Sequence, residues 1–353
     1  MNDFKNNTAH LTNQKRPRLK SASLEVTQQC DSRCVSCNIW QFSKKPLNSN
    51  KAAEQEPELS FKEHIRILNE LKTLGSKAVQ LHGGEPLLNL RLAELIAHCS
   101  SMEIFTGIAT NGLSMTPDKA KALVAAGLGS IKFSLDGPED LHNHLRGRKD
   151  AFEKQVRAIE LIQKSDSHQK VYKSIRSNVS SVNLERIDEV IDIARALGII
   201  DIQFAFYSVI DEDIVAETND IFNSTVASLR SLIPASLLPR DVPLIEKKRK
   251  QMLEKADRFG ISLGKTRFFT LPADQISKGI KRERTKCTIF NRSLTIDAFG
   301  EIIPCEYIRF PLGNIRKKSL NDILLNDQIK TFKKCYSDNY QNLRICDYCC
   351  YSL

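Results

Sequence analysis

The chain has 353 residues and a net charge of +10, and 41% of its residues are hydrophobic, which suffices to bury one large domain and a smaller one. It has no apolar run of about eighteen residues and no apolar N-terminal segment, so we expect neither a membrane span nor a secretory signal. We therefore expect its ten cysteines in the reducing cytoplasm, where clustered thiols bind metals or act in catalysis rather than forming disulfides.

Short strands alternate with amphipathic helices up to about residue 207. The predicted strands are 22–28, 78–84, 104–112, 130–137, 171–180 and 200–208, and the predicted helices are 60–75, 90–99, 117–127, 151–163 and 184–198. In the first helix, Ser60 is the predicted N-cap, Glu63 completes a capping box, and Gly75 ends the helix. This alternation predicts βαβ units with a parallel sheet, and six such units can close partway into a barrel.

Distinctive residues stand where four of these strands end. Cys30 follows the first strand, "GGEP" at 83–86 the second, Asn111 the third, and "SLDG" at 134–137 the fourth. Sites in parallel α/β folds gather at the carboxyl ends of the strands, so we expect these residues to form one site. The polar segment 140–148, "DLHNHLRGR", either lines the same mouth or is an exposed loop.

Much of the positive charge lies in residues 246–286. Such a segment is typical of a solvated helix face and linker. The alternative is a basic rim that attracts an acidic peptide, a phosphate or a nucleic acid. No aromatic interleaving or RNA-binding signature accompanies it, so we do not expect a nucleic-acid partner.

From Cys287 the pattern changes to that of a small, cysteine-rich α+β domain. Apolar and polar residues alternate around Asp297 to Gly300, which predicts a hairpin, and 319–335 predicts a helix. The predicted division of the chain is a flexible leader at 1–20, a core partial barrel at 21–210, a basic helical bridge at 211–286 and the cysteine-rich domain at 287–353.

Three cysteines, Cys30, Cys34 and Cys37, are spaced C-x3-C-x2-C after the first strand. A structural zinc site needs four closed ligands, and His82 is the nearest candidate for the fourth. A [4Fe–4S] cube is normally held by four thiolates, so three would leave one iron open for a small chelating ligand. The spacing alone favours the iron–sulfur cluster and leaves zinc as the alternative.

This spacing, with "GGEP" at the end of the next strand, resembles the radical S-adenosylmethionine (radical SAM) superfamily. The resemblance implies a partial (β/α)6 TIM-like barrel. It also implies that Cys30, Cys34 and Cys37 bind a [4Fe–4S] cluster whose open iron takes the amino and carboxylate groups of SAM.

By the same resemblance, the "GGEP" residues contact SAM. Gly83, Gly84 and Glu85 would reach its amino group through backbone carbonyls and a carboxylate, while Pro86 fixes the turn. These residue types suit that role, because glycines allow close backbone approach and an acid suits an ammonium group.

Further SAM contacts are predicted at the later strand ends. Ser134 and Asp136 resemble the contacts of the family to the SAM ribose or carboxylate, and Asn111 and Arg176 lie toward the same mouth. For Ser134, Asp136 and Asn111, an ordinary strand-to-turn junction explains the sequence equally well. The residue before the third cysteine is often aromatic in the family; here it is Ser36, so adenine packing must come from elsewhere.

The C-terminal cysteines resemble the auxiliary-cluster extensions called SPASM and twitch. The predicted ligands are Cys287, Cys305, Cys346 and Cys349. The longer SPASM form needs more cysteines after the final C-x2-C, and only Cys350 follows, which favours the twitch form with one auxiliary [4Fe–4S] cluster. A structural zinc ribbon is the alternative, and Cys335 is a spare thiol.

The resemblance implies an oxidoreductase that cleaves SAM reductively to a 5′-deoxyadenosyl radical and then abstracts a substrate hydrogen atom. It needs a one-electron donor such as flavodoxin or ferredoxin. We predict oxidation of a small polar substrate, such as a sugar or an aminocyclitol, with the auxiliary cluster accepting the substrate electron. The alternatives are a maturase that modifies a ribosomal precursor peptide and a non-catalytic iron–sulfur or zinc scaffold.

Metal analysis of the reconstituted protein tests the two cysteine sets together. We expect about eight iron atoms per chain, because each of two cubes holds four. About four iron atoms with one zinc ion would instead identify the C-terminal set as a zinc ribbon.

Overall fold

The computed structural model describes residues 19–37, 40, 57–207, 210–226, 234–264, 266–279, 287 and 292–348. The strands are β1 Ser21–Thr27, β2 Ala78–Gly83, β3 Phe105–Thr110, β4 Ser130–Ser134, β5 Tyr172–Val179, β6 Ile202–Phe206, β7 Ser293–Ile296, β8 Glu301–Ile303 and β9 Gly313–Asn314. In the described part they form one sheet in the order β6-β5-β4-β3-β2-β1-β7-β8-β9. Pairing is parallel from β6 through β1 to β7 and antiparallel between β7 and β8 and between β8 and β9.

Helices connect the parallel strands, as the alternation predicts. They are α1 Phe61–Thr73, α2 Leu92–Ser101, α3 Pro117–Ala125, α4 Glu139–Arg146, α5 Ala151–Ser165, α6 Glu189–Ala196, α7 Glu212–Phe222, α8 Val242–Phe259, α9 Arg267–Thr270, α10 Ala273–Ser277, α11 Leu320–Leu325 and α12 Asp327–Asn339. The six predicted strands and the five helices between them are confirmed, with ends shifted by a few residues. Among the described residues, none of these helices is long and apolar enough to cross a membrane.

The two faces of the parallel sheet differ in polarity. In β4, Ile131 and Phe133 are fully buried in the apolar core with the helices, whereas Lys132 and Ser134 are half-buried. Successive side chains of a strand point to opposite faces, so the polar residues share the face away from that core. Below, this is called the polar face.

The C-terminal hairpin extends the same sheet. β7 pairs with β1 in parallel, with Leu24 opposite Ile296, and the turn before β8 closes where the sequence predicts it. The Asp297 carboxylate accepts backbone hydrogen bonds from Phe299 at 3.0 Å and Glu301 at 2.9 Å, which fixes this turn. The hairpin is therefore confirmed, and it lies directly beside the strand that precedes the first cysteines.

The predicted domain boundaries divide one continuous sheet. They stay predictions at 21–210, 211–286 and 287–353, because the sheet runs without a break from the first of these units into the last. The predicted leader lies outside the described residues, apart from its last two positions.

Part of the basic bridge is used in ion pairs within the chain. Lys248 and Lys255 on α8 lie 2.8 Å and 3.1 Å from the carboxylate of Asp188, just before α6. These pairs dock α8 on the core, in line with the helix-face interpretation of its charge. Residues 280–286, at the end of the segment, lie outside the described part.

The first helix links the core to the C-terminal segment. The predicted capping box is confirmed: the Ser60 hydroxyl accepts from the Glu63 backbone N–H, and the Glu63 carboxylate accepts from the Ser60 backbone N–H at 2.7 Å. The same carboxylate accepts from the guanidinium of Arg316 at 2.7 Å. Glu63 therefore serves the helix start and the contact between the two units at once.

We expect the stabilisation by Glu63 to depend on pH. The hydrogen bond from Arg316, followed by those from Ser60, lowers the pKa of the Glu63 carboxyl from 4.5 to about 2. A lowered folded-state pKa adds stability above pH 4.5 that is lost as the pH falls toward 2. Glu63→Gln should therefore lower the thermal midpoint at pH 7 by an amount that corresponds to about 1 kcal/mol or less, and by less at pH 3.

Thermal unfolding followed by circular dichroism at both pH values measures this. Glu160→Gln, an exposed change on α5, is the matched control and should not shift the midpoint at either pH. A difference between wild type and Glu63→Gln that stays constant with pH would contradict the role of the ionised carboxylate.

Candidate active site

The loop after β1 carries three half-buried cysteines, Cys30, Cys34 and Cys37. The backbone N–H of Cys37 donates to the carbonyl of Cys34 at 3.2 Å, which makes a tight turn. The indole N–H of Trp40 donates to the same carbonyl at 3.3 Å. The spacing of the cysteines thus corresponds to a compact loop at the carboxyl end of β1.

The glycines of "GGEP" lie against the beginning of this loop. The backbone N–H of Gly84 donates to the carbonyl of Thr27 at 2.9 Å. A Cβ atom at Gly83 would lie 2.0 Å from the carbonyl oxygen of Thr27, and one at Gly84 would lie 2.2 Å from that of Gln29. Real Cβ atoms do not come so close, so glycine is required at both positions for the cysteine loop to reach the end of β2.

Glu85 is buried and bonded to its own chain. Its carboxylate accepts from the hydroxyl of Thr110 at 2.7 Å, the backbone N–H of Asn111 at 2.8 Å and that of Leu87 at 3.1 Å. Burial raises the pKa of this carboxyl to about 7, although the three donors act against the rise. Glu85 therefore joins the ends of β2 and β3, and Pro86 begins the short 3-10 turn that follows it.

Asn111 and Ser114 hold the residue next to the first cysteine. The side-chain amide of Asn111 donates to the carboxylate of Asp31 at 2.9 Å and lies 3.9 Å from Cys30 Sγ. The hydroxyl of Ser114 donates to the other oxygen of Asp31 at 2.5 Å. The end of β3 thus meets the cysteine loop, as the positions of the motifs at the strand ends predict.

The other side of the loop rests on the end of α4, in the segment "DLHNHLRGR". The carbonyl of Arg146 accepts from the backbone N–H of Arg33 at 3.1 Å, and that of Leu145 accepts from Val35 at 3.0 Å. A Cβ at Gly147 would lie 2.3 Å from the carbonyl oxygen of Arg33. The sequence did not predict this helix, although its acidic start and its glycine at the C-cap are ordinary helix signals.

Asp136 lies inside the protein, with both carboxylate oxygens bonded. One accepts from the backbone N–H of Asn178 at 2.9 Å, and the other lies 2.6 Å from the guanidinium of Arg146. Its side chain is 2% exposed, so the structure places it behind the cysteine loop. Ser134 and Arg176 are cross-strand neighbours on the polar face. Contact of these three residues with SAM stays a prediction.

Ser36 has a partner. It hydrogen-bonds to the phenol of Tyr207, which is buried just after β6. Burial raises the pKa of Tyr207, so it is a neutral donor or acceptor. The residue that departs from the aromatic pattern of the family thus joins the loop to the edge strand of the parallel sheet.

The C-terminal cysteines Cys287, Cys305 and Cys346 are half-buried and pack against the apolar core. The Cys305 sulfur accepts from the backbone N–H of Ile308 at 3.2 Å. Backbone N–H donors to sulfur are among the groups that tune iron–sulfur clusters. The fourth predicted ligand, Cys349, lies outside the described residues, as does the spare Cys350.

The chemistry of the first cysteine loop suits an iron–sulfur cluster. Within the described ranges, no three side chains of His, Cys, Asp or Glu converge closely enough to share a metal ion. The loop nevertheless supplies soft thiolate donors in one turn, which iron–sulfur clusters use. Burial raises the pKa of the Cys30 thiol to about 12, so its thiolate needs a cation beside it, such as the iron of a bound cluster.

Two family models match the chain. The one described as the radical SAM superfamily matches residues 24–193, and the one described as an iron–sulfur cluster-binding domain, SPASM, matches residues 287–350. The first contains the cysteine loop and the ends of β1 to β5, whereas Tyr207 after β6 lies beyond it. The second contains the predicted C-terminal ligands.

Curated relatives are similar at low identity. The chain is 25% identical over 316 residues to the AdoMet-dependent heme synthase of Methanosarcina barkeri, which covers 86% of this chain and 82% of that protein. It is 27% identical over 175 residues to the PqqA peptide cyclase of Methylocella silvestris, which covers 49% of this chain and 43% of the cyclase. The chain thus spans most of the first relative but less than half of the second.

Solved structures share the fold. SuiB of Streptococcus suis bound to S-adenosylmethionine matches with a TM-score of 0.63 and 19% identity, over 95% of this chain and 73% of that one. The structure of anSMEcpe with bound AdoMet matches with a TM-score of 0.61 and 18% identity, over 90% of this chain and 80% of that one. The predicted fold class, a partial barrel with a small cysteine-rich C-terminal domain, is confirmed.

We predict that Gly84→Ala prevents iron loading of the first cysteine loop. The added Cβ would meet the backbone carbonyls of Gln29 at 2.2 Å and Gln28 at 2.6 Å, so the loop must move away from β2. Iron per chain, measured after anaerobic reconstitution, should fall by about four atoms, one cube.

Gly260→Ala, at the end of α8, is the control. Its φ of +65° strains the backbone, but no atom lies within 4 Å of the new Cβ. It should lower stability and keep the full iron content. Equal iron loss in both variants would mean that general destabilisation, rather than the loop contact, removes the cluster.

Proposed function

Because this chain belongs to the radical SAM superfamily and carries a SPASM domain, we propose that it is an enzyme that cleaves SAM reductively and abstracts a hydrogen atom from its substrate. The observation that carries the proposal is the backbone contact between the two motifs. The N–H of Glu85 donates to the carbonyl of Gln29, next to Cys30, at 2.8 Å. The glycine motif and the thiol loop therefore form one surface.

The residues of this chain have distinct roles in the proposal. Cys30, Cys34 and Cys37 would hold a [4Fe–4S] cluster, and the chemistry that this cluster would supply is one-electron reduction of SAM with cleavage of its carbon–sulfur bond. The backbone at Gly83 and Gly84 contacts the SAM amino group. Since Glu85 already accepts three hydrogen bonds within the chain, its main part is to hold that backbone in place.

The polar face supplies the remaining contacts. Lys132 and Arg176 lie on neighbouring strands, and within the described part of the chain neither forms an ion pair. Burial, and then the charge of Arg176, lower the pKa of the Lys132 ammonium, although Asp201 acts against this. The buried hydroxyl of Ser174, opposite Lys132, has no hydrogen-bond partner among the described residues. Anionic groups of SAM and of the substrate would offset the charges of Lys132 and Arg176 and accept a hydrogen bond from the Ser174 hydroxyl.

Three substrate classes are candidates. Oxidation of a small polar molecule, such as a sugar or an aminocyclitol, stays the prediction made from the sequence. A tetrapyrrole is the second candidate, because the heme synthase matches over most of both chains and tetrapyrroles carry the carboxylates that Lys132 suits. A precursor peptide is the third, in line with the name of the peptide cyclase.

The other parts of the proposal concern the C-terminal domain and the electron source. Cys287, Cys305, Cys346 and Cys349 would hold an auxiliary [4Fe–4S] cluster, which would supply an acceptor for the substrate electron. The twitch form of this domain stays a prediction. The proposed electron donor is flavodoxin or ferredoxin, and the proposed location is the cytoplasm.

Anaerobic incubation of the reconstituted protein with dithionite and SAM tests the chemistry. Wild type should form 5′-deoxyadenosine, whereas Cys34→Ala should fall to background, because the cube then loses a thiolate. Cys99→Ala is the matched control: Cys99 is fully buried on α2, so this variant loses some stability and keeps SAM cleavage. A wild type that holds its iron and forms no 5′-deoxyadenosine would refute the proposal.

Addition of substrate candidates to the same assay separates the first two substrate classes. Fe-coproporphyrin III, a carboxylate-bearing iron tetrapyrrole, and an aminocyclitol are the two probes. Faster formation of 5′-deoxyadenosine with the tetrapyrrole, weakened in Lys132→Met, would support the second candidate. Stimulation by the aminocyclitol alone would support the oxidation predicted from the sequence.

A further inference from the structure

We propose that Arg146 is a positioning residue that holds Cys34 in the cluster loop and raises the reduction potential of the cluster bound there, while Asp136 lowers it. This inference rests on the proposed function, because it assigns Cys34 to the cluster. It is carried by the contacts of the chain itself, since the end of α4 touches the loop through both backbone and side chain.

The backbone contacts fix the middle of the loop. The carbonyl of Arg146 accepts two hydrogen bonds, from the hydroxyl of Ser32 at 2.9 Å and from the backbone N–H of Arg33 at 3.1 Å. The Ser32 hydroxyl lies 3.1 Å from Cys34 Sγ as well. The backbone carbonyl of Arg146 therefore positions the Ser32 hydroxyl beside the thiol of Cys34.

The side chain of Arg146 connects that thiol to a buried carboxylate. Its Nη2 lies 2.6 Å from Asp136 Oδ2, and its Nη1 lies 3.9 Å from Cys34 Sγ. The side chains of Arg146 and Asp136 are 14% and 2% exposed, so solvent screens this array weakly. The guanidinium of Arg146 therefore lies between the carboxylate of Asp136 and the sulfur of Cys34.

Within the described residues, two more polar groups, His142 and Tyr207, face the array, and both are uncharged. His142 Nδ1 accepts from the backbone N–H of Asp136 at 3.1 Å, and burial, followed by the charge of Arg146, lowers the pKa of His142 to about 3. The phenol of Tyr207 is also close to Asp136 and Arg146, and burial raises its pKa. Neither group cancels the charge that Arg146 presents to Cys34.

The sign of the effect follows from electrostatics. Reduction adds one negative charge to the cluster, and a cation near a ligand sulfur stabilises that form, which raises the potential. An anion behind the cation has the opposite effect, weakened by its greater distance. If Arg146 and Asp136 had only a structural role, their substitutions would not shift the reduction potential in opposite directions.

Redox titration of the reconstituted enzyme, followed by electron paramagnetic resonance, tests this. The part of the reduced signal that changes when SAM is added identifies the core cluster and separates it from an auxiliary one. We expect Arg146→Met to lower the midpoint potential and Asp136→Asn to raise it. A tenfold change in the ratio of reduced to oxidised cluster at fixed solution potential, about 59 mV, is the size expected for Arg146→Met.

Two further variants sharpen the test. Arg146→Lys keeps the charge and should restore much of the potential. Arg148→Met is the matched control, because Arg148 also donates to the loop, at 3.4 Å to the carbonyl of Asp31, but is 38% exposed and paired with Asp150. Its potential should stay close to that of wild type.

Shifts of the same sign in Arg146→Met and Asp136→Asn, or no shift in either, would overturn the inference. If Arg146→Met does not load iron, Arg146→Lys and Asp136→Asn decide the question, since an unshifted potential in Asp136→Asn would refute the charge effect. Failure of the proposed function has a different signature, because wild type would then show no SAM-sensitive signal and no 5′-deoxyadenosine.

Discussion

The site depends on the close approach of two backbones at the ends of β1 and β2. The chain after β1 passes so near to Gly83 and Gly84 that a single methyl group at either position would overlap a carbonyl oxygen. This contact places Cys30 beside the turn that is proposed to bind SAM. Asn111, Glu85 and the end of β3 depend on it in turn, because their hydrogen bonds run to Asp31 and to the "GGEP" turn. The absence of side chains at Gly83 and Gly84 is thus required for the packing of the cysteine loop, in addition to the proposed binding of SAM.

The loop is clamped from a second side by a helix that packs beyond β4. α4 ends at Gly147, whose φ is +63°, and its last carbonyls accept hydrogen bonds from the loop. Arg146 adds a charged contact from the same helix end. A loop with three thiols would otherwise be a mobile surface segment. Contacts with β2 and β3 on one side and with α4 on the other give it a defined shape.

The C-terminal unit reaches this site through the sheet. Because β7 pairs with β1, the strand that leads to Cys30 is shared between the core and the hairpin that leads to Cys305. Arg316 and Glu63 reinforce the connection on the helical side of the sheet. Cys30 and Cys305 thus follow two strands of one continuous sheet.

The sequence by itself determined the order of strands and helices, the capping box at Ser60, the hairpin at Asp297 and the motifs that identify the superfamily, because these signals are local in the chain. It placed the cysteine, "GGEP" and Asn111 positions at strand ends, and the structure brings them together. Only the tertiary structure decided that α4 and Arg146 support Cys34, that Asp136 is buried behind the loop, and that β7 joins β1. The contacts of Arg146 with Cys34 and of β7 with β1 link residues more than one hundred positions apart. No local pattern in the sequence records which distant partner a buried charge or an edge strand will meet.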